Sequence, residues 1–153
     1  GKAALFDGVG TGRVTHAGTF NAWAPGMAAA VATLKILSDP LAGVYDHIER
    51  VGTQLRDGLA EVAARRGGGV LVQGLPAVFQ TSFNTLPELF DHRDSAQADV
   101  AALGRLIPLL LGRGVRIARR GTWMLSSEHS DTDVDRTLEA FDGALGELRA
   151  GAA

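Results

Sequence analysis

An α+β layer, helices covering one face of a small antiparallel sheet, is the fold class this sequence predicts. Three observations carry the prediction. Apolar residues recur at three- and four-residue spacing over residues 40–66, 95–112 and from Ser130 onward, which is the period of an amphipathic helix. Short strand-like runs lie between them, at 70–73, 78–83, 114–118 and 122–126. With an alanine-rich helix at 24–38 in front, the order becomes helix, long helix, two strands, helix, two strands, helix. A chain of 153 residues is large enough to bury a core of that kind.

Residues 1–23 are rich in glycine (Gly1, Gly8, Gly10, Gly12, Gly18) and read as loop after a short apolar piece, Ala3 to Phe6. The stretch 24–38 is built on alanine, the best helix former. Asp39 suits an N-cap and Pro40 a first helical position, which predicts a helix over about 40–66 with Leu41, Val44, Ile48, Val51, Leu55, Leu59 and Val62 on one face. Arg65 and Arg66 favour its C-terminal dipole, and Gly67-Gly68-Gly69 ends it. Two strands, the second alternating apolar and polar residues, flank the turn Gly74-Leu75-Pro76-Ala77. A polar loop over 84–94 precedes a helix carrying Val100, Leu103, Leu106, Ile107, Leu110 and Leu111, with Pro108 expected to bend it. Ser130-Asp131-Thr132-Asp133 approximates a capping box, and Val134, Leu138, Phe141, Leu145 and Leu148 make the stripe of the last helix.

Composition removes several function classes. Hydrophobic residues form 46% and charged residues 21% of the chain, a globular rather than a disordered balance. A net charge of -2 supplies no basic footprint for nucleic acid. The absence of cysteine removes disulfides, thiolate nucleophiles and cysteine metal ligands, and it fits a reducing compartment. No uncharged apolar run has membrane-spanning length, and no charged-then-apolar signal pattern opens the sequence. The expectation is a soluble cytoplasmic protein without a membrane partner. His16, His47, His92 and His129 are scattered without the short spacing of zinc ligands, so no metal site is expected. Gly8-Val9-Gly10-Thr11-Gly12 lacks the flanking strand and later acid of a dinucleotide loop.

The segment Thr15-His16-Ala17-Gly18-Thr19-Phe20-Asn21 has the chemistry of an anion-binding turn. Thr19 offers a hydroxyl beside the unhindered Gly18, and the next helix presents free N–H groups and a positive dipole end. Two blocks then place it in context. His16-Ala17-Gly18-Thr19-Phe20-Asn21 leads into Met27-Ala28-Ala29-Ala30 and Ala32-Thr33-Leu34. Far downstream stand Gly114-Val115-Arg116-Ile117, Gly121-Thr122-Trp123-Met124-Leu125-Ser126 and His129-Ser130-Asp131-Thr132-Asp133-Val134-Asp135-Arg136-Thr137-Leu138. In residues and in order the chain resembles the C-terminal part of class III pyridoxal 5'-phosphate (PLP) aminotransferases, nearest the branch containing glutamate-1-semialdehyde aminomutase.

That resemblance implies the C-terminal portion of a fold-type I PLP-dependent transferase. Residues 1–38 would end the large PLP-binding domain, 39–66 would be a connecting helix and 67–153 the small C-terminal α+β domain. It implies PLP as cofactor, an amino or carbonyl substrate, and a homodimer with active sites at the subunit boundary. In the family the threonine matching Thr19 helps hold the cofactor phosphate and reaches the neighbouring subunit's site, while Gly18 lets the backbone approach. Arg119 and Arg120 lie between two short runs, where a guanidinium can clamp a carboxylate with paired hydrogen bonds. The family pattern has proline at the position of Arg119, which leaves Arg120 as the candidate substrate-binding residue. Asn21-Ala22-Trp23-Ala24-Pro25-Gly26 replaces the Asn-Pro-Leu-Ala that follows the threonine in the family, and Trp23 is a candidate for lining the substrate pocket or an interface.

PLP chemistry also needs a lysine amine for the Schiff base, and the chain has only Lys2 and Lys35. Lys2 is followed by Ala-Ala-Leu-Phe instead of a glycine-rich strand and loop, a pattern resembling the family helix between the catalytic lysine and the phosphate turn. Lys35 sits among Leu34, Ile36 and Leu37 within a helix. No catalytic residue is therefore assigned, and the Schiff-base lysine is expected upstream. The chain would be part of a larger enzyme, one of two polypeptides, or a degenerate relative. The competing reading is a non-catalytic α+β module that dimerises or docks through its apolar helix faces, and exposed apolar surface is expected on the helix at 24–38.

Overall fold

The computed structural model describes residues 2–151; Gly1, Ala152 and Ala153, at the ends of the expected domain ranges, lie outside the described residues. The chain divides into two compact units, with the boundary between Ala42 and Gly43.

Among its described residues the first unit holds two α-helices and a 3-10 turn. The glycine-rich start forms α1 (Ala3–Gly10) where the local reading expected loop. Exposed local bonds tie its end: the Thr11 hydroxyl donates to the Asp7 carbonyl at 2.7 Å and Arg13 pairs with the Asp7 carboxylate at 3.0 Å. Helix α2 (Ala24–Leu37) has Pro25 in its first turn, where a missing N–H costs nothing. None of its residues is buried, and Met27, Val31, Leu34 and Ile36 are all at least half exposed, as the sequence led us to expect. Asp39 does act as a cap, its carboxylate accepting from the Leu41 N–H at 2.9 Å, but the capped element is a 3-10 turn, Pro40–Ala42. Gly43 at φ 59° interrupts it, so the long helix begins at Val44 instead of residue 40.

The second unit contains the core. Helix α3 (Val44–Arg65) buries Val51, Leu55, Leu59 and Val62, spaced four, four and three residues apart. It closes as the glycine triplet predicts, with Gly68 N–H reaching back to the Ala63 carbonyl at 2.9 Å and Gly67 N–H to Ala64 at 3.0 Å. Strands β1 (Leu71–Leu75) and β2 (Val78–Ser82) pair antiparallel around Pro76-Ala77. The loop beyond includes a single-turn helix, α4 (His92–Ser95), capped by Asp91. Asp99 caps α5 (Val100–Leu111), which runs on through Pro108. Strand β3 (Thr122–Met124) joins β2 antiparallel, completing a three-stranded sheet in the order β1-β2-β3. Helix α6 (Asp131–Ala150) starts on the expected capping box, Ser130 and Asp133 bonding reciprocally.

Residues 114–118 do not form the expected strand. Val115 N–H turns back to the Leu110 carbonyl at 2.9 Å, ending α5, and only Ala118 N–H meets β3, at the Thr122 carbonyl (3.0 Å). The alternation of Val115 and Ile117 reflects packing against the core, not a ladder. One sheet face carries Phe79, Thr81 and Trp123 into a core with α3, α5 and α6. Trp123 stacks on Phe79 and meets Phe141 edge-on, with centroids 6.0 and 6.1 Å apart, while its Nε1–H donates to the buried Thr81 hydroxyl at 3.2 Å. On the opposite face the cross-strand neighbours Leu75, Val78 and Met124 are exposed, while Ser82 is buried and the Gln73 side chain bonds the Leu89 backbone of the loop beyond β2.

Candidate functional site

The anion-binding candidate is a β-turn in the first unit. Asn21 N–H bonds to the Gly18 carbonyl at 3.0 Å, which puts Thr19 and Phe20 at the two central positions. Trp23 N–H then reaches the Phe20 carbonyl at 3.2 Å, and Met27 N–H makes the first helical bond of α2 to Trp23 at 3.0 Å. Thr19 is exposed, and no side chain caps α2. Its first N–H groups, with the exception of Pro25, which has none, face outward without an intrahelical acceptor. Gly18, Thr19 and Trp23 thus lie on the successive turns that lead into α2, and a hydroxyl, free amides and a positive dipole end are the kinds of group a phosphate takes.

Gly18 does not use left-handed backbone. A Cβ there would stand 3.0 Å from the Asn21 side-chain oxygen, so the glycine leaves room for Asn21. The left-handed residue is Ala22, at φ 57°, a conformation that costs an L-residue about 1 kcal/mol. Proline, held near φ of about −65°, could not occupy position 22 with that backbone. Trp23 lies over Gly26, where a Cβ would come within 3.0 Å of its ring, and meets Phe20 edge-on at 6.0 Å.

Both lysines are exposed. Lys2 precedes α1 in extended conformation, and Lys35 occupies the last turn of α2, where its charge favours the helix dipole.

In the second unit Ala118–Gly121 is a β-turn, with Gly121 N–H on the Ala118 carbonyl at 2.9 Å. Arg119 and Arg120 fill its central positions, exposed. The Arg120 carbonyl accepts from the Gln80 side chain at 2.7 Å, which fixes the backbone and leaves the guanidinium to solvent. Gly121 at φ 77° is required, since a Cβ would sit 2.3 Å from the Thr81 carbonyl. Among the described residues no three His, Cys, Asp or Glu side chains gather as metal ligands. His47 donates through Nε2 to the His129 carbonyl at 2.8 Å, and His129 Nδ1 accepts from Ser126 N–H at 3.1 Å.

A feature the sequence reading missed is a depression of about 460 Å³ whose lining includes Leu55, Val115, Trp123, Arg113, Arg116 and Arg136. Its residues come from α3, the segment after α5, β3 and α6, so no local motif announces it.

The comparisons with known proteins run along the same lines. No family model matches the chain. It is 34% identical over 140 residues to the glutamate-1-semialdehyde 2,1-aminomutase of Desulfitobacterium hafniense strain Y51, a match covering 90% of this chain and 32% of the relative. Among solved structures it is similar to a beta-phenylalanine aminotransferase from Variovorax paradoxus, 28% identical with a TM-score of 0.77 over 90% of this chain and 31% of that one. A transaminase with PLP bound is 26% identical at a TM-score of 0.74, over 91% and 31%. Over 90% of its length the chain is thus similar to a C-terminal portion of class III PLP-dependent aminotransferases and aminomutases. It spans about a third of the length of the relatives it matches, and the two units carry the family's C-terminal fold.

Proposed function

We propose that this chain supplies the cofactor-phosphate turn and small C-terminal domain of a PLP-dependent enzyme that moves an amino group, either between an amino compound and a carbonyl compound or within one molecule. The observation that carries the reading is the exposed Gly18–Asn21 turn set against the uncapped start of α2. When bound, PLP supplies the electron sink for amino-group chemistry. Thr19 would hold a phosphate oxygen through a hydrogen bond from its hydroxyl, and the free amides at the start of α2 would add neutral donors. Arg120, held by its backbone at the Ala118–Gly121 turn, offers a paired guanidinium contact to a substrate carboxylate, and Trp23 gives an apolar wall. The family resemblance supports a homodimer in which the turn serves the partner's site.

Neither lysine suits the covalent anchor. Lys35 is exposed late in α2, and Lys2 is exposed where the resemblance calls for the helix after the catalytic lysine. The anchor belongs to another part of the enzyme, and the isolated chain lacks transaminase activity. The test is a chimera with this chain in place of the matched segment of the Desulfitobacterium hafniense aminomutase. Loss of a charge-assisted hydrogen bond corresponds to roughly a 10- to 100-fold loss of PLP affinity for Thr19→Ala, with Thr19→Ser retaining affinity. Unchanged PLP retention in Thr19→Ala overturns the assignment.

A further inference from the structure

The depression in the second unit has an apolar floor and a cationic rim. Leu55, Val115, Trp123 and Leu125 make the floor; Arg113, Arg116 and Arg136 line the edge. Two acids are close, and both are committed. Glu147 pairs with Arg113 at 2.7 Å. Asp133 receives the Ser130 N–H at 2.9 Å and its hydroxyl at 2.7 Å, which holds the cap of α6. Among the described residues, Arg116 and Arg136 form no ion pair with a carboxylate, and both are exposed.

Arg136 feels the Asp133 carboxylate only at longer range. Two guanidinium groups without a close ion pair beside an apolar floor make a poor site for a small solvated anion, because exposed ion pairs contribute little by themselves. They suit an occupant that covers the floor and delivers carboxylates to the rim in one step, gaining apolar burial and charge complementarity together. We infer that this depression seats a segment bearing two or three apolar side chains flanked by Asp or Glu. That segment is carried by the two thirds of a family-length enzyme that the matched span leaves out. The inference rests on the family reading but not on the phosphate turn, since no residue of the first unit lines the depression.

Trp123, 5% exposed on the floor, gives a direct readout in a Trp23→Phe background, where it is the sole tryptophan. The full chain is titrated with three amphipathic peptides of one length and apolar pattern, bearing glutamate, glutamine or lysine on the polar face, and separately with inorganic phosphate. The expected result is a saturable change in Trp123 emission with the glutamate peptide, at least tenfold tighter than with glutamine and absent with lysine. Arg116→Glu/Arg136→Glu should weaken that binding at least tenfold and recover affinity for the lysine peptide, a reversal that a merely misfolded variant would not show. Equal binding of the three peptides overturns the inference, as does a phosphate titration that reproduces the change. A dimer in sedimentation that the charge reversal dissolves also overturns it, since a second copy would then be the occupant. Thr19→Ala leaves the peptide titration unchanged, which separates failure here from failure of the phosphate turn.

Discussion

Alanine replacing glycine inside a helix normally stabilises, and α3 is where that rule should reverse. Gly52 is buried on α3 beneath the β1–β2 turn, and a Cβ there would stand 2.2 Å from the Pro76 carbonyl oxygen and 2.6 Å from its carbon. Backbone cannot swing aside as a side chain does, so either the hairpin lifts or the helix shifts. The helix-propensity gain of about 1 kcal/mol is then set against an overpacking cost of about 3 kcal/mol, for a net loss of about 2 kcal/mol. Gly104 is the control, because nothing lies within 4 Å of its Cβ position on α5 and only the gain of about 1 kcal/mol remains. Urea unfolding followed through Trp123 in the Trp23→Phe background reads the second unit alone. Gly104→Ala should raise the midpoint by about 0.5 M and Gly52→Ala lower it by about 1 M, at an unchanged slope of about 1.5–2 kcal/mol/M. A Gly52→Ala midpoint equal to or above the parent would refute the seating of the hairpin on α3.

Two further outcomes concern the second unit. Phe141 is fully buried edge-on to Trp123, so Phe141→Ala should cost about 3–5 kcal/mol, visible as loss of the cooperative urea transition or of near-ultraviolet dichroism from Trp123. Hydrogen bonds from Arg66 and Arg50 hold the Asp142 and Asp131 carboxyls below their ordinary range. A folded-state value below the unfolded one stabilises above about pH 4 and loses that contribution as pH falls through the folded value. Asp131→Asn/Asp142→Asn should therefore be less stable than the parent at neutral pH, with the two urea midpoints converging on acidification; parallel curves would remove the ion pairs from the acid response.

What could be read from the sequence was what local chemistry encodes. The periodicity of Val51, Leu55, Leu59 and Val62 and the capping pair Ser130 and Asp133 specify α3 and α6 within a few residues. The Gly18-Thr19 turn was legible for the same reason, since its hydrogen bonds close within four residues. Helix α1 was legible only through the family resemblance of its first residues; by local chemistry Gly8 and Gly10 read as loop, while its end is tied by exposed bonds among Asp7, Thr11 and Arg13 that composition does not advertise. The missing strand at 114–118 shows that alternation records which side chains are buried, not whether the backbone finds a partner. The Arg113, Arg116 and Arg136 rim depends on the segment after α5 meeting α6, and the left-handed Ala22 on the turn it completes; neither leaves a pattern in the chain.

The proposed function divides the labour: a grip on the cofactor's phosphate here, its covalent anchor elsewhere. The most direct measurement is the absorbance spectrum of the purified chain titrated with PLP, for the parent, Lys2→Ala and Lys35→Ala. The account predicts no saturable, stoichiometric band from a lysine-linked cofactor, and identical spectra for all three proteins. A stoichiometric band in the parent that disappears in one lysine variant would contradict it, by placing the anchor within these 153 residues.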